Sequence, residues 1–207
     1  MKRKPTTAAE TTPLRFVLVT LDNHVTSSVE RAAINLSAEL PNVSVTTHAA
    51  SAWASEPETL QQCIDDIATG DIIVVTMMFL EEHINAVLPA LTERQADCDA
   101  MICCMCSAEV MKLTRMGRFT MEGEAKGPVA LLKRLRGKTG KAKSSAGAQQ
   151  LTVLKQLPKI LRFVPGTAQD VRAYFLSLQY WLGGSEDNLR HWVHFLINRY
   201  AAGPRKA

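Results

Sequence analysis

The longest apolar run in the chain, Ile72 to Leu80 with one Thr inside it, sits between two stretches of helical periodicity. It falls far short of the roughly 20 residues that a membrane-spanning helix needs, so no transmembrane segment is expected. A run that is apolar on nearly every residue, rather than on every second one, suits a strand buried on both faces. Strands take that position in a parallel sheet covered by crossover helices.

The rest of the first half repeats the pattern. Arg15 to Leu21 reads as a first strand, and Ser27 and Glu30 have the spacing of a capping box for the helix that follows. Val29, Ala32, Ala33, Leu36 and Leu40 share one face of that helix, which stops at Pro41. Val43, Val45 and Thr47 alternate with polar residues, as on a half-exposed edge strand. Ser55 and Glu58 repeat the capping spacing before the stripe Leu60, Cys63, Ile64 and Ile67, which Gly70 is expected to end in a left-handed conformation. Asp71 to Met77 is the central strand, Leu80 to Leu91 a third helix, and Ala100 to Cys106 a fourth buried strand. Right-handed crossovers then predict an α/β fold, a Rossmann/flavodoxin-like parallel four-stranded sheet of order 2-1-3-4 followed by a helical appendage.

With 207 residues, 46% hydrophobic and 21% charged, the chain suits one domain with an appendage. Its net charge of +4 is unevenly spread, because Lys126 to Gln169 holds ten Lys or Arg and no Asp or Glu. Within that stretch the Gly-, Ser- and Lys-rich segment from Gly137 to Gly147 marks a linker. The expected partition is a flexible tail over 1–13, the α/β domain over 14–115, a basic linker over 116–148, a helical segment over 149–201 and a truncated end over 202–207. The tail carries Lys2, Arg3 and Lys4 but no apolar stretch of a secretory signal, which favours a cytoplasmic location.

Ligands of doubly wound sheets gather at the carboxyl ends of the strands beside the topological switch point. Here that rule selects Asp22, Asn23 and His24 after the first strand and Glu81 and Glu82 after the third, with His83 beside them. Neither turn has the glycines of a phosphate cradle, which disfavours a dinucleotide enzyme, and Gly137-Lys138-Thr139 has Leu132 where a P-loop needs glycine. Asp22, Glu81 and Glu82 are read first as groups that stabilise helix starts.

Cys98, Cys103, Cys104 and Cys106 lack the separated pairs of a zinc site, and adjacent Cys103 and Cys104 point to opposite faces of a strand. They are expected to be buried small hydrophobes in a reducing compartment. His191 and His194 have a metal-compatible spacing without further ligands nearby, so no metal site is expected. The basic linker lacks interleaved aromatics or a reading module, so no nucleic-acid role is expected.

Beyond the linker the chain turns helical. Leu151, Leu154, Leu157 and Leu161 recur at helical spacing, although Pro158 must kink or split that segment. Asp170 to Leu182 carries Val171, Tyr174, Phe175, Leu178 and Leu182 on one face and ends at Gly183-Gly184. Ser185 starts a last helix with Glu186 and Asp187 in its first turn and Leu189, Trp192, Val193, Leu196, Ile197 and Tyr200 as its stripe. Trp181 and Trp192 are expected in the core.

The run from Leu157 to Leu189, with Arg162-Phe-Val-Pro-Gly-Thr-Ala-Gln-Asp-Val171 at its centre, resembles the N-terminal region of the large, porphyrin-binding subunit of magnesium chelatase. The Phe79-Leu-Glu-Glu82 turn and the Met116-Gly-Arg-Phe-Thr-Met121 segment are similar to the same family in the same order, so the likeness runs from about Leu14 onward. The resemblance implies a segment of a protein that binds protoporphyrin IX and, with two AAA+-type ATPase partners, inserts Mg2+ at the expense of ATP in chlorophyll or bacteriochlorophyll synthesis. It implies that the porphyrin-enclosing body is the remainder of that large subunit. No catalytic residue and no cofactor of its own is expected in this segment. The related cobaltochelatase large subunit, with a corrin substrate, and a stand-alone flavodoxin-like binding module are the alternatives.

Overall fold

The computed structural model describes residues 12–21, 26–121, 158–159 and 161–202, with side chains from 28 onward in the second of these stretches. The expected linker core, the Leu151–Leu157 stripe, and Asp22, Asn23 and His24 lie outside the described residues.

Four parallel strands form the centre of the sheet: β1 (Leu14–Thr20), β2 (Val43–Ala49), β3 (Ile72–Thr76) and β4 (Ala100–Cys104). Their order is the expected 2-1-3-4. The sheet does not stop there, because β5 (Arg115–Met116) and β6 (Phe119–Thr120) continue it in antiparallel fashion beyond β4. It is therefore a mixed sheet of six strands rather than a parallel sheet of four. Two-residue strands carry no periodicity, which is why the sequence pattern does not reveal them.

The buried pattern of β3 and β4 is continuous, as an all-apolar run requires, whereas β2 is half-exposed along most of its length. Alternate residues feed two cores. Phe16, Leu18, Val74 and Ile102 face one side, where α1 (Thr26–Glu39) packs with α5 (Thr167–Gly183) and α6 (Glu186–Tyr200). Val17, Val19, Ile73, Val75 and Cys103 face the other, where α2 (Pro57–Thr69) and α3 (Glu81–Arg94) pack. The short α4 (Ala108–Lys112) adds Val110 to this second core.

The helical appendage expected from the sequence is thus a layer of the fold. Trp192 on α6 meets Phe16 of β1 edge-on with ring centroids 6.2 Å apart, and Trp181 on α5 lies 6.0 Å from Trp192. Such aromatic pairs contribute about 0.5–1.5 kcal/mol beyond the burial of their area. Polar contacts seal the α1–α6 seam: Glu186 accepts from Arg31 at 3.1 Å and Asn35 at 2.6 Å, while Glu39 accepts from Arg190 at 2.8 Å and pairs with His194 at 2.7 Å.

Local signals fared unevenly. Helix α5 ends and α6 starts where expected, Gly184 lying in the left-handed region at φ 58° and Ser185 accepting from Asn188 N at 3.2 Å. Helix α1 begins at Thr26, so Ser27 lies in its first turn rather than before it. Helix α2 begins at Pro57 with Glu56 at the cap, and Ser55 Oγ donates instead to Ala52 O at 3.0 Å. Proline at the first helical position has no amide to satisfy, and its preset φ starts the helix by itself. Gly70 is extended, with φ −64° and ψ 137°. Glycine is needed there for closeness, since a Cβ would lie 2.9 Å from Ile73 Cγ1 and 3.0 Å from Val17 Cγ2.

Candidate functional site

The carboxyl end of the sheet holds a cluster of polar groups that the fold leaves without partners. Thr20 ends β1 and Thr76 ends β3, and the two are register partners, with Cys104 of β4 next in the row. Side chains alternate along a strand, so these three share the face of Phe16, Leu18, Val74 and Ile102, toward α1. Thr20 and Thr76 are 1% and 0% exposed, and neither hydroxyl has a nitrogen or oxygen partner. The Thr76 hydroxyl has the Cys104 thiol as a hydrogen-bond partner, a weak one.

On the opposite face of the same end, His83 in the first turn of α3 meets Trp53 edge-on at 5.6 Å. His83 Nδ1, Trp53 Nε1 and Ser107 Oγ are also buried without partners, so five of the six such atoms among the described residues lie at this end. A buried unpaired polar group costs about 1–3 kcal/mol, and native proteins keep few of them.

Backbone strain gathers at the same place. Met77 follows β3 with φ 58° and Met105 follows β4 with φ 54°, and these are the non-glycine residues of positive φ among the described residues. The left-handed region disfavours L side chains by roughly 1–2 kcal/mol. Beyond Met77 the chain buries Met78 and exposes Phe79 and Leu80 at 52% and 48%.

Of the residues selected by sequence, Glu81 and Glu82 stand exposed in the first turn of α3. Neither caps the helix with a side-chain hydrogen bond, and Glu82 lies 3.6 Å from His83 Nε2. They act on the helix through their charge, which favours the positive end of its dipole. The switch-point rule takes in Thr76 as the start of the turn from Thr76 to Glu82, but sequence patterns do not single out Thr20, Ser107 or Trp53. The available signal is a hydroxyl residue closing each of two apolar strands at the switch point.

The thiols are poor nucleophiles. Burial pushes Cys63 and Cys104 up to about 12 and Cys106 up to about 11, and raises Cys98 and Cys103 as well, so all five stay protonated at neutral pH. Cys103 and Cys104 point into different cores, as expected of neighbours in a strand. Among the described residues no group of three or more His, Cys, Asp or Glu is placed to hold a metal ion. His191 is exposed, and His194 is engaged by Glu39.

The amino end is built differently. Asp170 on α5 accepts from Arg118 N at 3.1 Å, Arg199 Nη2 at 3.2 Å and Tyr200 Oη at 3.1 Å. Gly117, at φ +59°, makes the turn between β5 and β6, and a Cβ there would lie 2.9 Å from Asp170 Oδ2. An open groove of about 560 Å³ runs past Gly117, Asp170, Phe195, Asn198, Arg199 and Tyr200. Close by in sequence, Gln169 Nε2 reaches the carbonyls of Leu161, Arg162 and Val164, holding a loop whose Phe163 is 83% exposed.

The three segments that carry the family resemblance therefore have distinct structural roles: the strained exit of β3, the β5–β6 turn locked to Asp170, and the helices that cover the sheet. Residues 15–175 match the family described as Domain of unknown function (DUF3479). The chain is 44% identical over 187 residues to the magnesium-chelatase H subunit of Cereibacter sphaeroides and 40% identical over 185 residues to its counterpart in Rhodobacter capsulatus. It is 32% identical over 194 residues to the chloroplastic ChlH subunit of magnesium chelatase from Oryza sativa subsp. indica. These alignments take in 89–90% of this chain. They take in 16% of each bacterial relative and 14% of the rice one, so the chain spans only a small part of their length. The chain belongs to the DUF3479 family and is similar to the N-terminal region of the H subunit of magnesium chelatase.

Proposed function

We infer that this chain acts as the N-terminal segment of a magnesium chelatase H-type subunit and contributes to ATP-dependent insertion of Mg2+ into protoporphyrin IX. The observation that carries the reading is 40–44% identity over nine-tenths of the chain to bacterial proteins of that name. In this reading the porphyrin sits in the remainder of the large subunit, two AAA+-type partners hydrolyse ATP, and the product enters chlorophyll or bacteriochlorophyll synthesis in the cytoplasm of a photosynthetic cell. The segment itself supplies a rigid two-core scaffold. Metal insertion requires groups that accept two pyrrole protons as the metal enters. The Cys104 and Cys106 thiols at the carboxyl end, with values of about 12 and about 11, are protonated at neutral pH and supply no such base.

The test is a reconstituted insertion assay with protoporphyrin IX, Mg2+, ATP and both ATPase partners, read by the fluorescence of the magnesium porphyrin. A full-length large subunit carrying this segment is expected to give product, and the 207-residue chain alone to give none. Product from the chain alone would move the chemistry into it. A full-length protein that inserts cobalt into a corrin and leaves protoporphyrin untouched would overturn the substrate assignment.

A further inference from the structure

We propose that the amino end of the molecule is a docking face, with Phe163 as its anchor and the remainder of the large subunit as its partner. The identity of that partner rests on the chelatase reading. Phe163 is 83% exposed and Val164 45%, and Pro165 beside them is exposed as well. Three consecutive apolar side chains in water differ from the scattered apolar residues of an ordinary surface. The loop that carries them is held from inside. Gln169 Nε2 donates to the carbonyls of Leu161, Arg162 and Val164 at 2.8, 3.2 and 2.6 Å, and Val164 N donates to Leu161 O at 3.1 Å. Arg172 Nε ties the preceding turn down through Pro158 O at 2.9 Å. These bonds order the backbone on both sides of the ring before a partner arrives, which lowers the entropic cost of association. Aromatic side chains presented in this way are enriched at the centres of protein interfaces.

Position and charge select the occupant. Asp170, next to Gln169, is reached by Arg199 and Tyr200 from the last turn of α6, so the loop and the end of α6 lie at one end of the molecule. Ala202 is at that end too, its N donating to Asp99 Oδ2 at 3.0 Å just before β4. The polypeptide therefore leaves α6 beside the exposed loop. The alignments take in 16% of each bacterial relative, so in the chelatase reading a much longer chain is tethered there. A tethered partner meets the face at high effective concentration, and a single aromatic anchor with a small contact then suffices. The groove past Gly117, Phe195 and Arg199 extends the contact surface at the same end. Lys159, Arg162 and Arg118 are exposed, and residues 158–169 include no Asp or Glu. Asp170 is buried and already met by three donors. The complement of such a face is an apolar pocket with an acidic rim.

The experiment follows maleimide labelling of Val164→Cys in the 207-residue chain and in the full-length large subunit, read by mass spectrometry of the peptide that carries the position. The five native thiols of the segment are buried and add little background. Labelling at 164 is expected to be fast in the chain alone and about tenfold or more slower in the full-length protein, where docking covers the loop. Leu182→Cys is the control: position 182 is 54% exposed at the far end of the 17-residue α5, about 20 Å or more away along the helix. It is expected to label equally fast in both proteins. Adding Phe163→Ser to Val164→Cys is expected to restore fast labelling in the full-length protein. The same change should leave the melting temperature of the chain alone unchanged, because the ring stands in water. Any of four results overturns the proposal: equal rates at 164 in the two proteins, equal slowing at 164 and 182, slow labelling that survives Phe163→Ser, or slowing in the chain alone as its concentration rises, which would make a second copy the occupant. Labelling does not depend on turnover, so a large subunit that inserts no Mg2+ would end the chelatase reading and leave this comparison intact.

Discussion

The two ends of the sheet are made from similar residues and treated in opposite ways. At the amino end polar groups are met. Asp71 accepts from Arg15 N at 2.8 Å, Asp99 from Ala202 N at 3.0 Å, and Asn42 donates to Thr12 O at 2.7 Å. Arg94 reaches Gly70 O, Arg115 reaches the carbonyls of Gln95 and Cys98, and Asp170 gathers three donors. At the carboxyl end the Thr20 and Ser107 hydroxyls are unpaired and that of Thr76 has only a thiol beside it, next to two left-handed methionines. Thr114 shows that the fold can satisfy a buried threonine, since its hydroxyl bridges Cys103 N and Cys103 O. One end is locked for stability, and the other is held in a state that stability alone does not favour, the signature expected where a fold serves a function.

The sharpest way to break that contrast is to unlock the amino end. Asp170→Ala leaves the Arg199 guanidinium, the Tyr200 hydroxyl and the Arg118 amide without their shared acceptor. It is expected to destabilise the chain by about 3 kcal/mol, read as a lower urea midpoint at unchanged slope. A midpoint equal to that of the native chain would mean that the β5–β6 turn and α6 do not depend on this carboxylate. Next in size is Gly117→Ala, which forces a Cβ into the left-handed region and against Asp170 Oδ2. It is expected to cost about 2 kcal/mol, and in the Asp170→Ala background the loss should shrink because the clash is gone.

How much of this was legible in the sequence follows from what carries a period. The four parallel strands and their order could be read, because Ile72 to Thr76 and Ala100 to Cys104 are apolar almost throughout and the intervening stripes repeat at helical spacing. The β5–β6 addition could not, since Arg115–Met116 and Phe119–Thr120 are too short to show alternation. The placement of α5 and α6 against β1 was likewise hidden. The stripe of Trp192 announces a buried face, but nothing local says that its partner is Phe16, far earlier in the chain. At the site, the switch-point rule directs attention to the carboxyl end of the sheet. It leads to Asp22, Asn23, His24, Glu81 and Glu82, whereas the buried Thr20 hydroxyl looks like that of an ordinary strand residue until its lack of a partner is seen.

Helix caps give a smaller comparison with opposite outcomes at two serines. Ser185 Oγ accepts from Asn188 N at the start of α6, so Ser185→Ala is expected to cost about 1 kcal/mol. Ser107 stands at the cap of α4 with its hydroxyl unpaired and buried, so Ser107→Ala is expected to cost nothing or to stabilise slightly. Equal losses at the two positions, measured by thermal unfolding, would remove Ser107 from the unsatisfied cluster.

Acid supplies the gentlest probe of the same asymmetry. The hydrogen bond from His194, aided by Arg190, holds the Glu39 carboxyl below its ordinary value of 4.5. A carboxyl with a depressed folded-state value adds stability that is present above the unfolded value and lost as pH falls through the folded one. The α1–α6 seam should therefore weaken below about pH 4.5, by less than about 1 kcal/mol, because Glu39 is 42% exposed and solvent screens the pair. The Thr20–Thr76–Cys104 row carries no group that changes charge in that range, the thiol titrating at about 12. Hydrogen exchange from about pH 3.5 to about pH 5.5, a window spanning the carboxylate range and corrected for intrinsic rates, should then show protection falling in α1 and α6 before it falls in β3. Glu39→Gln should flatten that difference, and an unchanged profile in this variant would place the acid sensitivity elsewhere.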